Sequence, residues 1–473
     1  MSDGTGERRT RQLIWALSVG VVLADSSVVT LALPDVLNEY DATVFGVSWV
    51  LTAYNIVLAA SILPVVRLTR RTPSKTWAVG LGIFGLASLA CALSPSAGAL
   101  IAARCVQALG GAAVLAGAIE LLARERGSHR SAARLWGTAG TIGLALGPAV
   151  GGVLTEALSW QAIFLLQAPL LLLIPFARQS DTLPMERGPI GPNEAAPEFA
   201  LGLLSAGLTA ALFLLVILLT EGWGLSPIAA AAVVTVIPVA TVILSRIEPA
   251  PHGAWIWAIG GTIAIGGGLL ALGLLPGASP GLTLAPQLLI GAGLAMALPV
   301  LTSAAVEVND PDGSRAASTI AARHAGIVVG ILVLTPILSA QLVDQHDAGT
   351  AAGTALLLDA NVSPETKVRV ADQIDQAVEV ADGQLPDLSP AFDEVRSEAS
   401  AEEIPAVNEL ESGVNDQLER AATHAFSVPF MGAAVFALLA LIPIGILVRS
   451  HGLYWRRAGP GGTEAIQEPE LQG

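Results

Sequence analysis

The chain has 473 residues, of which 53% are hydrophobic and 13% charged, and a mean hydropathy of +0.65. A soluble domain carries about 25% charged residues, so this composition excludes one and predicts an all-α polytopic membrane protein. Of the formal net charge of −15, residues 343–423 hold −14, with 18 Asp and Glu against 4 Lys and Arg; the acidity belongs to one extramembrane segment, and no basic surface for nucleic acid is left.

About twelve apolar segments of spanning length, ~20 residues each, follow one another. They lie near 13–33, 43–66, 77–94, 98–123, 132–156, 160–177, 200–220, 226–246, 254–275, 283–305, 320–342 and 425–448. No secretory cleavage site follows the first, so it is expected to stay as a helix. The basic residues fall on alternate connections: Arg8, Arg9 and Arg11 before the first segment; Arg67, Arg70, Arg71 and Lys75 between the second and third; Arg124, Arg126, Arg130 and Arg134 between the fourth and fifth; Arg456 and Arg457 after the last. The connection from Pro34 to Ser48 carries Asp35, Glu39 and Asp41 and no basic residue. The positive-inside rule then puts both termini in the cytoplasm.

This order predicts an N-terminal six-helix bundle over 1–177, a cytoplasmic linker over 178–199 and helices seven to eleven over 200–342. An acidic extracellular helical domain over 343–423, a last transmembrane helix over 424–449 and a disordered cytoplasmic tail over 450–473 complete it. The linker is proline-rich and reads as irregular. In the acidic domain, Ser363-Pro364-Glu365 is a helix start, a capping hydroxyl followed by proline and an acid. Val368, Ala371, Ile374 and Val378 follow at helical spacing, and a second stripe runs through Ile404, Val407, Val414 and Leu418, broken by Glu411. The expectation is a two- or three-helix cap too small for a strong core of its own; the other reading is a solvated acidic insert. Cys91 and Cys105 both sit in apolar helices and read as packing thiols, a disulfide between them being the other reading.

Residues 143–152 read Gly-Leu-Ala-Leu-Gly-Pro-Ala-Val-Gly-Gly inside the fifth segment. Gly143, Gly147 and Gly151 fall on one helix face, so another helix can approach closely. Pro148 removes a backbone donor and bends the helix there, and Gly152 closes the run. This decapeptide resembles the antiporter motif of the major facilitator superfamily. Other segments resemble the drug:proton antiporter branch of that family, its fourteen-helix members in particular. Asp25 lies in Ala24-Asp25-Ser26-Ser27-Val28-Val29-Thr30-Leu31-Ala32-Leu33-Pro34, similar to the branch's first-helix signature, and Trp49 and Tyr54 fall where the branch has its Trp and Tyr. Arg104, Gln107 and Gly110 match Arg-x-x-Gln-Gly-x-Gly with Ala108 in place of one glycine. Trp160, Phe164 and Pro169 match the entry to the sixth helix, whereas Gln161, Ala162 and Gln167 depart from it.

Asp25 lies about 18 Å along a helix from Leu13, past the middle of a ~30 Å hydrocarbon core. A carboxylate at that depth is costly unless paired or hydrated, and marks proton pathways; the competing reading is a carboxylate held by Ser26 and Ser27. The resemblance implies that Asp25, Arg104, Gln107 and Glu120 take part in proton coupling or substrate binding, with Arg104 as partner of Asp25. Glu120 also reads as a surface ion pair with Arg124 four residues on, and His324 as an interfacial residue at the start of the eleventh helix, beside Arg323.

Between the second and third helices the branch has Gly-x-Leu-x-Asp-x-x-Gly-Arg-Lys, whereas Val66 to Lys75 lacks both glycines and the Asp while keeping Arg67, Arg70, Arg71 and Lys75. The second half admits two arrangements, a complete six-helix bundle or a fourteen-helix pattern short of two helices. The function implied is proton-coupled efflux of amphipathic organic compounds (drugs, lipids or secondary metabolites) by alternating access, in the inner membrane of a bacterium, by a monomer without cofactor or metal. The alternative is a non-transporting scaffold or sensor that displays residues 343–423 to an envelope partner. No nucleophile elbow, metal-ligand cluster or nucleotide-binding loop marks an enzyme.

Overall fold

The computed structural model describes residues 3–69, 71–127, 129–177, 195–247, 254–306, 314–381, 388–400 and 402–458, and every described element is helical. Among the described residues eleven helices are long and apolar enough to cross a membrane, and a shorter apolar one covers Gln161–Ala177. Arg70, most of the expected linker, the side chain of Val378 and residues 459–473 lie outside the described residues.

The first half runs α1 (Asp3–Thr30), α2 (Leu33–Glu39), α3 (Val44–Thr69), α4 (Pro73–Ala92), α5 (Ala97–Arg126), α6 (His129–Ala157) and α7 (Gln161–Gln167), which tightens into a 3-10 stretch over Ala168–Ala177. Local chemistry sets several ends. Pro73 opens α4, and the Ser96 hydroxyl accepts the Ala99 amide at 3.3 Å to cap α5. Gly127 ends α5 at φ 66°, a left-handed conformation that glycine adopts without steric cost.

The second half runs α8 (Ala196–Ile217), a π turn over Leu218–Gly222, α9 (Pro227–Val234), α10 (Val236–Leu244), α11 (Ala254–Leu272) and α12 (Pro280–Val306). It continues through α13 (Ser314–Asp359), α14 (Pro364–Ala381), α15 (Ser389–Glu398), α16 (Ile404–Ala425), α17 (Ser427–Leu439) and α18 (Leu441–Ala458). Its packing repeats that of the first half. α1 lies on α6 as α8 lies on α13; α4 on α5 as α11 on α12; α3 on α5 as α10 on α12; and α4 against Ala168–Ala177 as α11 against α17. The second half is therefore a complete six-helix bundle. α3 against α13 and α6 against α9 join the two bundles.

Close approach explains the α1–α6 pairing. A Cβ on Gly143 would overlap the Gly20 carbonyl and one on Gly147 the Ser27 hydroxyl, so larger residues would force the helices apart. Ser27 Oγ also donates to the Leu144 carbonyl at 3.3 Å. Gly326 and Gly330 of α13 meet Gly202 and Ala206 of α8 in the same manner.

α13 has 46 residues, about 69 Å at 1.5 Å per residue, more than twice a hydrocarbon core of ~30 Å. It passes without a break from the bundle into the acidic segment, where α14 and α16 pack on it and α15 packs on both of them. Val370, Leu388, Phe392, Val395, Val407, Leu410 and Val414 form a separate buried core there. The expected stripe on α14 is displaced: Val368 is 61% exposed, and the buried face runs through Val370 with Ile374 half-buried beside it. Both sets have helical spacing, so periodicity could not choose between them. Glu411, which interrupts the stripe on α16, accepts from Arg396. The tail expected from residue 450 is helical over its first part, because α18 continues to Ala458, and between 450 and 458 Gly452 is the one weak helix former.

Candidate functional site

Asp25 of α1 and Arg104 of α5 are both fully buried and meet at 2.5 Å between Oδ2 and Nη1. The same Nη1 donates to Gln107 Oε1 at 2.6 Å, Gln107 Nε2 donates to Gln167 Oε1 at 2.7 Å, and Gln167 Nε2 donates to Asp25 Oδ1 at 2.8 Å. These bonds close a ring through α1, α5 and α7. Gln107 Nε2 also reaches Ser88 Oγ of α4 at 2.8 Å. Arg104 Nε donates to the Val50 carbonyl of α3 at 3.3 Å, and its guanidinium carbon lies 4.1 Å from the Tyr54 ring centroid. Arg104 thus ties α5 and α3 to the carboxylate of α1, and through Gln107 the network reaches α4 and α7. Among the described residues its Nη2 and the Tyr54 hydroxyl have no hydrogen-bond partner.

Helical spacing brings this set together. Arg104 and Gln107 sit three apart on one face of α5, Ser88 faces them because glycines bring α4 onto α5 at Gly80 and Gly110, and Gln167 ends α7 pointing back at α1. Gln167 stands where the branch motif has Asn, and in the sequence it counted as a departure. It supplies the amide that bridges Asp25 to Gln107, one methylene longer. Polar character at a motif position was the signal available, and the change of residue, one of three departures from that motif, hid it.

The remaining candidates lie elsewhere. Glu120 is outside the ring and accepts from Arg124 Nε at 3.0 Å. At the same end of the bundle Glu125 meets Arg11 at 3.2 Å. Arg67, Arg71 and Lys75 of the degenerate gate loop are exposed. Gly143, Gly147, Pro148, Gly151 and Gly152 line α6, where Gly151 faces Val28 and Gly152 faces Pro227 and Ala231 of α9, so the motif touches both α1 and the opposing bundle. His324 is not at the start of its helix, which begins at Ser314; its Nδ1 lies 2.5 Å from Asn55 Oδ1 of α3. Asn55 carried no motif, and sequence reasoning missed it. Among the described residues no group of His, Cys, Asp and Glu is arranged to hold a metal ion, and Cys91 and Cys105 are free.

Residues 15–333 match the family model described as Major Facilitator Superfamily. The chain belongs to that family. Curated relatives include the methylenomycin A resistance protein of Streptomyces coelicolor, 37% identical over 33% of this chain and 34% of that protein. Others are the multidrug resistance protein Stp of Mycobacterium tuberculosis, 30% identical over 35% and 32%, and the methyl viologen resistance protein SmvA of Salmonella typhimurium, 35% identical over 32% of each. The chain spans about a third of the length of these relatives. Their names accord with the drug:proton antiporter branch that the motifs resemble. Among solved structures, a bacterial homolog of the human lysosomal transporter Spinster, inward-facing and occupied, aligns with a TM-score of 0.61 at 17% identity over 92% of this chain and 97% of that one. At that identity the likeness concerns the fold. The protein is thus a polytopic, multi-pass membrane protein of a family of transporters of small substrates, not of enzymes, with bacterial relatives.

Proposed function

We propose that the protein exports amphipathic organic compounds in exchange for protons, by alternating access of its two bundles around a site between them. The observation that carries this reading is the closed ring of Asp25, Arg104, Gln107 and Gln167. A buried ion pair is tolerable only while both charges are present, and loss of one leaves the other uncompensated at a cost of several kcal/mol. A proton that neutralises Asp25 therefore strands Arg104, and the helices that hold it must move to satisfy it. Protonation and helix position become linked, which is what coupling requires. Proton entry contributes about 2.3 kcal/mol per charge per 100 mV of membrane potential. In this reading the protein is a plasma-membrane monomer with both termini in the cytoplasm, and residues 343–423 lie outside, where an envelope partner would meet them.

The test is efflux from an exporter-deficient bacterium challenged with a panel of amphipathic compounds, beside the Asp25→Asn variant. Uncoupler-sensitive efflux that disappears in a variant still inserted in the membrane is the expected result; efflux unchanged by the substitution would sink the coupling role. The separate core of the acidic segment favours a second reading, a membrane scaffold or sensor that displays it. There, deletion of 343–423 abolishes the cellular phenotype and Asp25→Asn has none.

A further inference from the structure

A charge inside a transmembrane helix is rarely left without an opposite charge, and Arg323 is such a charge. It lies about 14 Å into α13 from Ser314, it is partly exposed, and among the described residues no carboxylate faces it. Its neighbour His324 fixes its surroundings. Asn55 donates through Nδ2 to the Leu51 carbonyl at 2.7 Å, so its Oδ1 is the atom turned to His324 Nδ1 across the bundle interface. The adjacent residue on α3 is Tyr54, whose ring carries the Arg104 guanidinium. Consecutive residues of α3 thus set Arg104 and the Arg323–His324 pair at one level of the molecule.

The direction of Arg323 follows from the faces of α13. Gly326 and Gly330 abut α8, His324 abuts α3, and Val329 and Val333 on the outer side are 48% and 44% exposed. With about 3.6 residues per turn, Arg323 falls between the α8 and α3 faces, turned into the space between the bundles and away from lipid. The charge balance at this level is then plain. Asp25 is already matched by Arg104 at 2.5 Å and both its oxygens are engaged, so it offers nothing to a cation. At the first bundle's termini end, Glu120 is paired with Arg124, and Glu7 and Glu125 share Arg11. Among the described residues, the positive charge of Arg323 thus meets no carboxylate.

We propose that Arg323 binds the acidic group of the transported compound, so that the substrate is an amphipathic anion, an apolar body bearing a carboxylate, sulfonate or phosphate. The guanidinium suits such a group because its N–H donors match two oxygens at once. His324 is a positioning residue that sets the rotation of α13. The inference deepens the exporter reading above and rests on it.

The experiment uses the purified full chain in proteoliposomes under an imposed pH gradient, with two xanthene dyes of similar shape and opposite charge, carboxyfluorescein and rhodamine 123. Proton-driven movement of carboxyfluorescein, lowered at least about tenfold by Arg323→Gln and largely kept by Arg323→Lys, is the expected result. Movement of rhodamine 123 alone, or carboxyfluorescein movement indifferent to Arg323→Gln, overturns the anion assignment while the exporter reading stands. If neither dye moves, the exporter reading fails, and binding to the protein in nanodiscs decides the anion site separately. Carboxyfluorescein held by the parent and weakened about tenfold in a monodisperse Arg323→Gln variant supports it; equal binding, or none, refutes it.

Discussion

Asn55 and His324, 269 positions apart in the chain, share a hydrogen bond of 2.5 Å that pins one bundle to the other. Asn55 is fully buried, so removing its partner leaves an amide oxygen unsatisfied, at about 1–3 kcal/mol. His324→Ala and Asn55→Ala should each lower the thermal midpoint of the purified protein. The double variant should cost less than the sum by about 1 kcal/mol. Strict additivity in that cycle would show that the contact carries no coupling.

Gln167 is expected to matter more than its mismatch with the family motif suggests. Gln167→Leu takes the amide donor from Asp25 Oδ1 and one of two acceptors from Gln107 Nε2, which keeps Ser88, with an expected loss of about 1–3 kcal/mol. Gln167→Asn keeps the amide one methylene short and should fall between. Proton-driven transport and thermal unfolding of both variants would check this; a Leu variant as stable and active as the parent would remove Gln167 from the site.

Gly147→Ala should destabilise by about 1–3 kcal/mol through overpacking, since its Cβ would overlap the Ser27 side chain. Combining it with Ser27→Gly should recover part of the loss. Gly330→Ala meets the backbone carbonyl of Ala206, where no side chain can be trimmed, so Ala206→Gly should not rescue it. Unfolding midpoints of the four variants compare the two pairings directly.

The acidic cap has a pH signature. Glu403 accepts the Ser363 amide at 2.6 Å and the Ser400 hydroxyl at 3.0 Å. The Ser363 hydrogen bond foremost holds its carboxyl at about 2, against an ordinary 4.5. A carboxyl depressed on folding stabilises fully above its unfolded value, and the contribution is lost as pH falls through the folded one. Hydrogen exchange at the Ser363 and Ser400 amides, corrected for intrinsic rates, should show constant protection above pH 4.5 and a decline toward pH 2. Glu403→Gln should lack that dependence, and identical pH profiles for the two proteins would refute the assignment.

Hydropathy made the helix count and the acidic segment legible, because burial in lipid demands long apolar runs whatever the fold. The Asp25 and Arg104 pairing was legible through motif resemblance, since a charge at that depth needs a partner. Asn55, Ser88 and Gln167 were not, because a polar residue in an apolar helix has no periodic signature, and what it touches depends on how the helices rotate. The same blindness displaced the stripe from Val368 to Val370. Whether the second half holds six helices of its own bundle was equally hidden, for hydropathy counts segments and says nothing about which ones pack together. The Gly326 and Gly330 pair, the counterpart of Gly143 and Gly147, became visible once α13 was seen lying on α8.

α13 belongs to two bodies at once, a bundle helix at its start and a strut of the acidic cap at its end. Pro336 is its internal weak point; beyond it the helix runs on unbroken, so a tilt of the second bundle is carried outward and enlarged with distance, as at the free end of a lever. For the exporter proposed above, the cap is then a pointer whose position reports which way the bundles lean, and a ligand that gripped it would brake the proposed cycle.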